Sequence, residues 1–451
     1  PGQASSIWVA SPRRPAGRPP PQASWAMAVY ITYGEGEADA VNEGGEWLKT
    51  IIASQKGAEA GAEFDEKFKE LSADLENNQC YGPVFDLFLE HSEDLFGAIP
   101  EARGEDRVKE VESFFALALS MLLMSEEAEH MDSATTRLCK LLTSSTQQHP
   151  DLRLRLLMNL HNTFPPSLEF RYRVFKYIID YAAEANLFDQ VMPYLEYLDA
   201  WMADWETYKH LSPEDKRTLF LDLSRYVRAI GKRLDSFQLL KRYHQLFQVD
   251  GADLKDHDED ATAQLLIDAI QIPSVIQFDD ILSYDTVKAL AKTKRGDLVK
   301  LCDVFFTGTV NDLRDFHKKK EALFKEHGLE IQDAMSKIKL LTMATMAQGR
   351  SEMSLQEVAK GIEESEDSIE PWVVRAISEG VIDGRIDQLN HKVLVKSAFQ
   401  RKFEKDEWAF LDTKLSSWID NLESVIKFIG EQKTLKEASG AAALATAAGV
   451  A

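Results

Sequence analysis

Few side chains of this 451-residue sequence have the type and spacing that chemistry requires. Glu127 and His130 are three residues apart, so a helix would place two metal ligands on one face. No further ligand cluster accompanies them, and single acid–histidine pairs occur by chance. Phosphate-binding glycine loops, nucleophile elbows, zinc-protease motifs and C-x-x-C pairs are missing. We therefore expect a non-enzymatic protein with no catalytic residue, metal site or cofactor.

An acidic segment at 256–260 has the composition of a calcium-binding loop. A loop of that kind needs glycine at its sixth position for a sharp turn and glutamate at its twelfth for bidentate coordination. These two positions hold Ala261 and Ile267. The sequence therefore predicts a solvated acidic loop instead of a calcium site.

Composition limits the partners and the compartment. The chain has 52 Lys and Arg against 74 Asp and Glu, a formal charge of −22, so as a whole it repels nucleic acid and anionic membranes. Three widely spaced cysteines, Cys80, Cys139 and Cys302, argue against a disulfide framework and predict a cytoplasmic protein. The longest apolar stretch, 114–124, is about half the length of a membrane span and predicts a buried helix.

Basic residues gather in one C-terminal segment despite the acidic average. They are Arg385, Lys392, Lys396, Arg401 and Lys402. Two nearby aspartates leave this segment locally positive, which suffices for weak phosphate contact with RNA. Reading a DNA sequence would need several polar or basic side chains on one helix, and the preceding helix offers one arginine, Arg375. Direct RNA binding stays open as an alternative function.

The elements that carry these residues are mostly helical. From about residue 45 to 332, apolar residues recur at the spacing of an amphipathic helix, as at Val108, Val111 and Phe115. Breaks such as Pro165-Pro166 and Ser212-Pro213 leave helices joined by short turns, which favours antiparallel pairs. Stacked pairs form an α-solenoid, and a closed helical bundle is the alternative that periodicity leaves open.

The organisation changes after about residue 333. A helix at 335–346 is followed by an S-x-x-E capping box at 354–357 that begins a second helix. A third helix begins near Ser368, and two strand-like runs follow at 381–386 and 392–395. Three short helices and a β-hairpin make the element order of a winged helix. The edge of such a hairpin can pair with a strand of another chain.

The last helix has the sharpest apolar pattern. Seven residues are spaced alternately by three and four positions: Trp408, Leu411, Leu415, Trp418, Leu422, Val425 and Ile429. This spacing is a heptad seam. Two interpretations remain open, since the seam could pack on its own domain or complete a bundle with helices of partner chains. We favour partner chains, because the helix follows a complete domain.

Several stretches resemble the PCI-domain scaffold subunits of the proteasome lid, the signalosome and eukaryotic translation initiation factor three. They are Phe278–Leu282, Val287–Leu290, Met335–Thr342, Gly384–Gln388 and Arg401–Phe403, followed by the spaced apolar residues of the last helix. The resemblance, strongest to the initiation-factor subunits, implies a non-catalytic structural subunit. Such a subunit would assemble with other PCI and MPN subunits and act, through the complex, on the small ribosomal subunit. A subunit of the signalosome or proteasome lid is the alternative.

The predicted fold is all-α: a right-handed α-solenoid of helical pairs, a winged helix with a small β-hairpin, and a C-terminal bundling helix. The predicted segments are a disordered leader at 1–26, helical repeats at 27–230, a PCI domain at 231–400, a C-terminal helix at 401–435 and a disordered tail at 436–451. Within the PCI domain, the helical part extends to about residue 332 and the winged helix covers 333–400. Met27 is the expected first residue of the natural chain.

Overall fold

The computed structural model describes residues 37–78, 80–100, 105–124, 128–165, 169–250, 257–401 and 405–448. These residues are mostly helical, with one small sheet near the C-terminus, which confirms the predicted fold class. The chain divides into two compact units between Ser236 and Phe237. No helix in the described ranges is long and apolar enough to cross a membrane. The predicted leader, 1–26, lies outside the described residues.

The first unit consists of helices that pack against their neighbours in the chain. They are α1 (Glu37–Lys56), α2 (Ala58–Asn78), α3 (Tyr81–Gly97), α4 (Glu105–Met124), α5 (Ala128–Leu142), α6 (Pro150–Thr163), α7 (Phe170–Glu184), α8 (Phe188–Val191), α9 (Leu198–Thr207) and α10 (Pro213–Ala229). Helix α1 packs on α2, α3 on α4, and α6 on α7, as expected of amphipathic helical pairs. A 3-10 helix, Met192–Tyr197, lies between α8 and α9.

A buried arginine joins three helices of the first unit. Arg153 of α6 donates from Nη1 to the Leu141 carbonyl of α5 at 2.8 Å and from Nη2 to the Glu93 carboxylate of α3 at 2.9 Å. Its guanidinium also lies 3.8 Å from the ring centroid of Phe96. Periodicity could not predict this contact, because it registers only the apolar residues of a helix.

His161 of α6 is buried in an aromatic cluster of the same unit. Its ring centroid is 4.8 Å from that of Trp201 and 5.9 Å from that of Phe175. Its Nε2 has no hydrogen-bond partner among the described residues. Burial, with a smaller contribution from the positive charge of Arg171, lowers the pKa of His161 to about 3.

The second unit begins within α11 (Arg233–Asp250), which crosses the boundary. Its helical part contains α12 (Glu259–Gln271), α13 (Asp279–Ser283), α14 (Asp285–Leu290), α15 (Gly296–Thr307), α16 (Val310–Lys319) and α17 (Glu321–Glu326). The winged helix follows with α18 (Ile331–Ala347), β1 (Glu352–Ser354), α19 (Leu355–Ile362), α20 (Ile369–Ser378), β2 (Ile382–Asp387) and β3 (Lys392–Ala398). A short 3-10 helix, Glu366–Ser368, precedes α20. The final element is α21 (Lys405–Ala448).

The winged helix has three strands where the sequence predicts two. The sheet is antiparallel with the order β1-β3-β2, so β3 lies in the centre. The predicted capping box is present: the Glu357 amide donates to Ser354 Oγ at 3.1 Å, and the Ser354 amide donates to Glu357 Oε2 at 3.3 Å. The added strand β1 ends at this same serine, so the residue that signals a helix start also closes a strand.

A buried lysine joins the winged helix to the helical part. Lys337 of α18 donates from Nζ to the Ala269 carbonyl and, at 2.7 Å, to the Ile272 carbonyl at the C-terminal end of α12. Its Nζ also lies 5.2 Å from the ring centroid of Phe278. Burial lowers the pKa of this lysine to about 7. The carbonyls at the end of α12 are thus satisfied by a side chain of the neighbouring subdomain.

The C-terminal helix is longer than predicted. It extends to Ala448 and covers most of the segment that we expected to be a disordered tail, 436–451. Alanine has the highest intrinsic helix propensity, which accounts for the extension. The predicted boundary at 230/231 lies six residues before the division at 236/237. The other segment boundaries stay predictions.

The buried His161 predicts acid sensitivity of the first unit. Its folded-state pKa of about 3 is below the ordinary value of 6.5, so the unfolded chain binds the proton more tightly. The stabilising contribution is complete above pH 6.5 and is lost as the pH falls towards 3. We expect the urea midpoint of unfolding to decrease over this range, and His161→Phe to make the decrease smaller. An equal pH dependence in the variant would contradict this account.

Gly384 on β2 predicts a second stability effect. A Cβ at this position would lie 2.4 Å from the Leu394 carbonyl oxygen on β3, too close for any side chain. We expect Gly384→Ala to destabilise the winged helix by about 1–3 kcal/mol, measured by chemical denaturation. Asp383→Ala is the adjacent control, since it removes an exposed ion pair worth about 0–1 kcal/mol. Equal unfolding free energies for the two variants would show that β2 and β3 can move apart at Gly384 and Leu394 and accommodate the added methyl group.

Candidate protein-interaction surface

The apolar side chains of α21 are exposed along the whole described face. The seven residues of the predicted seam have exposed fractions from 37% at Leu411 to 62% at Trp418 and Leu422. From residue 408 to 430, every side chain that the structure describes is exposed. Over these residues the helix is therefore not covered by its own domain, which favours the second of the two interpretations of the seam.

The apolar face is wider than the predicted seam. Ile419, Ile426 and Phe428 are also exposed, with fractions between 56% and 67%. Ile419 and Ile426 each follow a seam residue by one position and occupy the e position of the heptad. Apolar residues at a, d and e form the broad stripe of a core-facing helix, whereas a two-stranded coil needs only a and d. The width therefore fits a helix that packs against more than one neighbour.

The sequence contained the signal for these added residues. Ile419 and Ile426 are seven positions apart, so they repeat with the heptad. The alternating spacings of three and four positions that define the seam do not include them. Polar residues near them, including Asp420, Glu423 and Lys427, lie off the stripe and are exposed as well.

A free strand edge is the second interaction surface. Strand β2 pairs with β3, and no other described strand pairs with it. The Val395 amide donates towards the β1 side of β3, so the peptide groups of Leu394 face β2. Leu394 pairs with Arg385, which leaves the peptide groups of Gly384 and Ile386 directed away from the sheet. These groups could hydrogen-bond with an added strand.

The predicted basic surface of the wing is largely neutralised. Lys392 forms an ion pair with Glu352 at 3.0 Å, and Lys396 forms one with Asp383 at 3.0 Å. Arg385 is exposed on β2. Lys402 lies outside the described residues. Lys392 and Lys396 thus have carboxylate partners, and Arg385 has none among the described residues. The pairing reduces the positive electrostatic potential that a phosphate group would meet.

Arg401 is buried, contrary to the prediction that it belongs to the basic surface. Its Nε donates to the Phe305 carbonyl at 2.8 Å, and its Nη2 donates to the Val304 carbonyl at 3.1 Å and to Phe305 as well. Burial lowers the pKa of this guanidinium to about 10. A side chain engaged with two backbone carbonyls inside the domain cannot reach an RNA phosphate.

The weaker candidates from the sequence have structural roles. His130 Nε2 lies 3.2 Å from Asp86 Oδ1, while Glu127 lies outside the described residues. No cluster of three metal-ligating side chains occurs in the part of the chain that the structure describes. In the acidic segment, Asp258 Oδ1 accepts the amides of Asp260 and Ala261 at 2.8 and 3.1 Å and thereby caps α12.

Comparison with known proteins connects this architecture to a family. Residues 311–397 match the PCI domain, from α16 to β3. Curated relatives match most of the chain, and each is named "Eukaryotic translation initiation factor 3 subunit M". The protein of Dictyostelium discoideum is 27% identical over 333 residues, which cover 73% of this chain and 81% of the relative.

Relatives from animals and fungi show the same extent of similarity. The Homo sapiens protein is 27% identical over 322 residues, 70% of this chain and 82% of the relative. The Phaeosphaeria nodorum protein is 25% identical over 371 residues, 79% of this chain and 82% of the relative. The chain therefore carries a PCI-domain match at residues 311–397 and is similar over most of its length to proteins named subunit M of eukaryotic translation initiation factor 3.

Proposed function

We propose that the chain is a non-catalytic structural subunit of eukaryotic translation initiation factor 3, and that it holds partner subunits through the apolar face of α21. The relatives support the choice of complex, because all those named above carry the name of one subunit. The exposed apolar face of α21 is the observation that supports binding of partner subunits. Contiguous apolar patches of this extent on a folded protein mark interaction sites.

The length of α21 supports a partner outside the chain. Its 44 residues extend over about 66 Å at 1.5 Å per residue, roughly twice the diameter of a small domain. A compact domain can cover only part of such a helix. Long helices from other subunits, aligned with α21, would cover the stripe along its length and would match its width at positions a, d and e.

The edge of β2 supplies a second contact in this proposal. A winged-helix strand of a neighbouring PCI subunit would add to β2 and use the outward peptide groups of Gly384 and Ile386. Backbone hydrogen bonds of this kind give affinity, and side chains along the edge select the partner. Through the assembled complex, the subunit would support the action of the factor on the small ribosomal subunit during initiation.

Two alternatives differ in their partners. A PCI subunit of the signalosome or proteasome lid would have the same fold, and affinity purification with mass spectrometry separates them. Ribosomal proteins and initiation-factor subunits would co-purify in the proposed case, and cullins or proteasome subunits in the other. Direct RNA binding has weaker support, because Lys392 and Lys396 are paired and Arg401 is buried.

Substitution on the apolar face tests the proposed function. Trp418→Asp places a charge in the centre of the face and should abolish co-purification of the partner subunits. Trp418→Ala should cost about 3–5 kcal/mol of assembly, a loss of at least about 100-fold in affinity. The chain itself should stay folded, as circular dichroism will show, because Trp418 is 62% exposed.

Ser417→Asp is the matched control for this substitution. It adds the same charge one position away, at an exposed site off the apolar stripe. Co-purification should be retained in this variant. Retention of the partner subunits by Trp418→Asp would refute the proposed role of α21, and their loss from both variants would point to a general effect of negative charge.

A salt series tests direct RNA binding. Among the described basic residues of the wing surface, Arg385 is the one without an ion-pair partner, so it offers one phosphate contact. We therefore expect the isolated chain to bind single-stranded RNA weakly. The slope of log K against log salt concentration should be about −0.7, the value for one phosphate contact. Arg385→Ala should remove most of this binding. A slope several times steeper would favour the RNA-binding function over the structural one.

A further inference from the structure

We propose that Arg401 is a positioning residue for α21: its buried guanidinium fixes the point at which the partner-binding helix leaves the folded domain. This inference rests on the proposed function of α21. Arg401 was predicted to belong to an exposed basic surface, and the proposed role is instead to position α21 for binding of partner subunits.

The guanidinium binds the C-terminal end of α15. The carbonyls of Val304 and Phe305 belong to the last turn of this helix. The Val304 carbonyl also accepts the Gly308 amide at 2.8 Å, whereas the Phe305 carbonyl is among the last carbonyls that a helix leaves without a backbone donor. Arg401 donates to both of them, from Nε at 2.8 Å and from Nη2 at 3.1 Å, with a further Nη2 bond to Phe305. The end of a helix is also the negative end of its dipole, which favours a cation.

No carboxylate among the described residues forms an ion pair with Arg401. Backbone carbonyls therefore supply the compensation that a buried cation requires. A planar guanidinium can reach two adjacent carbonyls at once through Nε and Nη2, and this geometry sets both the position and the orientation of the side chain. A lysine ammonium is a point donor on a flexible stem and would hold the segment less rigidly.

A second anchor lies two residues earlier. The Phe399 amide donates to the Val381 carbonyl at 2.8 Å, and the Phe399 side chain packs against the core of the winged helix. The chain after β3 is therefore attached at 399 to the winged helix and at 401 to the helical part. From Arg401 the chain can extend at most about 14 Å to Lys405, the first residue of α21. The base of α21 is thus confined close to the end of α15.

Confinement at the base matters because α21 is long. At about 66 Å, a rotation of 10° about the base would move the far end by about 11 Å, which is the diameter of a helix. A helix whose direction varied by this amount would lose more orientational freedom on binding, and its affinity for aligned partner helices would fall. An anchor at Arg401 instead of at Phe399 shortens the length of chain from which α21 can swing, and thereby reduces the freedom that its apolar face would lose on binding.

Distance measurement by double electron–electron resonance tests the role of Arg401 in the full chain without any partner. Nitroxides would be attached at Lys360→Cys on α19 and Ser416→Cys on α21, both exposed positions, in a background with the exposed cysteine replaced by Cys80→Ser. We expect one narrow distance distribution for the parent chain and at least a twofold broader one for Arg401→Gln. Arg385→Gln removes the same charge from an exposed side chain and should leave the width unchanged.

Three results would overturn the inference: a broad distribution in the parent chain, an unchanged width in Arg401→Gln, or equal broadening in Arg385→Gln. Arg401→Lys provides a second variant if Arg401→Gln does not fold, and we expect intermediate broadening from it, while an unchanged width would count against the inference. A purely structural role would lower the unfolding temperature without changing the width in the folded state.

Partner binding gives an independent readout. We expect Arg401→Gln to weaken co-purification of the partner subunits by about tenfold, with the apolar face intact. If Trp418→Asp leaves co-purification unchanged, the proposed function fails, whatever the distance measurement shows. If Trp418→Asp abolishes co-purification and Arg401→Gln changes neither width nor co-purification, the proposed function stands and the positioning role is wrong.

Discussion

The second unit depends on two buried basic side chains that bind the ends of helices. Lys337 satisfies carbonyls at the end of α12, and Arg401 satisfies carbonyls at the end of α15. Both side chains come from the winged helix or the segment directly after it, and both helices belong to the helical part. Each contact has two stabilising effects. It supplies a hydrogen-bond donor to carbonyls at the end of a helix, and it gives a buried basic group hydrogen-bond partners in place of water. The winged helix is thereby attached to the helical part at two separate points.

This use of charge differs from that in the first unit. Arg153 is equally buried, yet it reaches the carboxylate of Glu93 as well as a carbonyl and an aromatic ring. Lys337 and Arg401 have no ion pair with any described carboxylate. Their charge is offset mainly by backbone carbonyls and helix dipoles, and at Lys337 also by the Phe278 ring and by a longer-range attraction from Glu379. Helix dipoles act over short distances and require close placement. The junction is therefore sensitive to geometry, and under the proposed role of Arg401 this sensitivity would help to place the base of α21.

Much of this fold could be predicted from the sequence, because hydrophobic periodicity and helix capping depend on residues that are close together in the chain. The capping box at Ser354, the start of the third helix near Ser368 and the seam from Trp408 to Ile429 all depend on residues close together in the chain. The contacts of Arg153, Lys337 and Arg401 join residues far apart in the sequence, and no local pattern reports a partner at that distance. The composition even suggested the opposite for Arg401, because a cluster of basic residues is usually exposed. Strand β1 was missed since three residues are too few to show alternation.

The exposed face of α21 has a consequence for the abundance of this protein in a cell. An uncovered apolar stripe is an aggregation hazard, so under the proposed function a copy without partners would be lost by aggregation or by proteolysis. Copies in excess of the available partner helices would be lost, and copies in the complex would be protected. The abundance of the chain would then follow that of its partners, without any dedicated control of its synthesis.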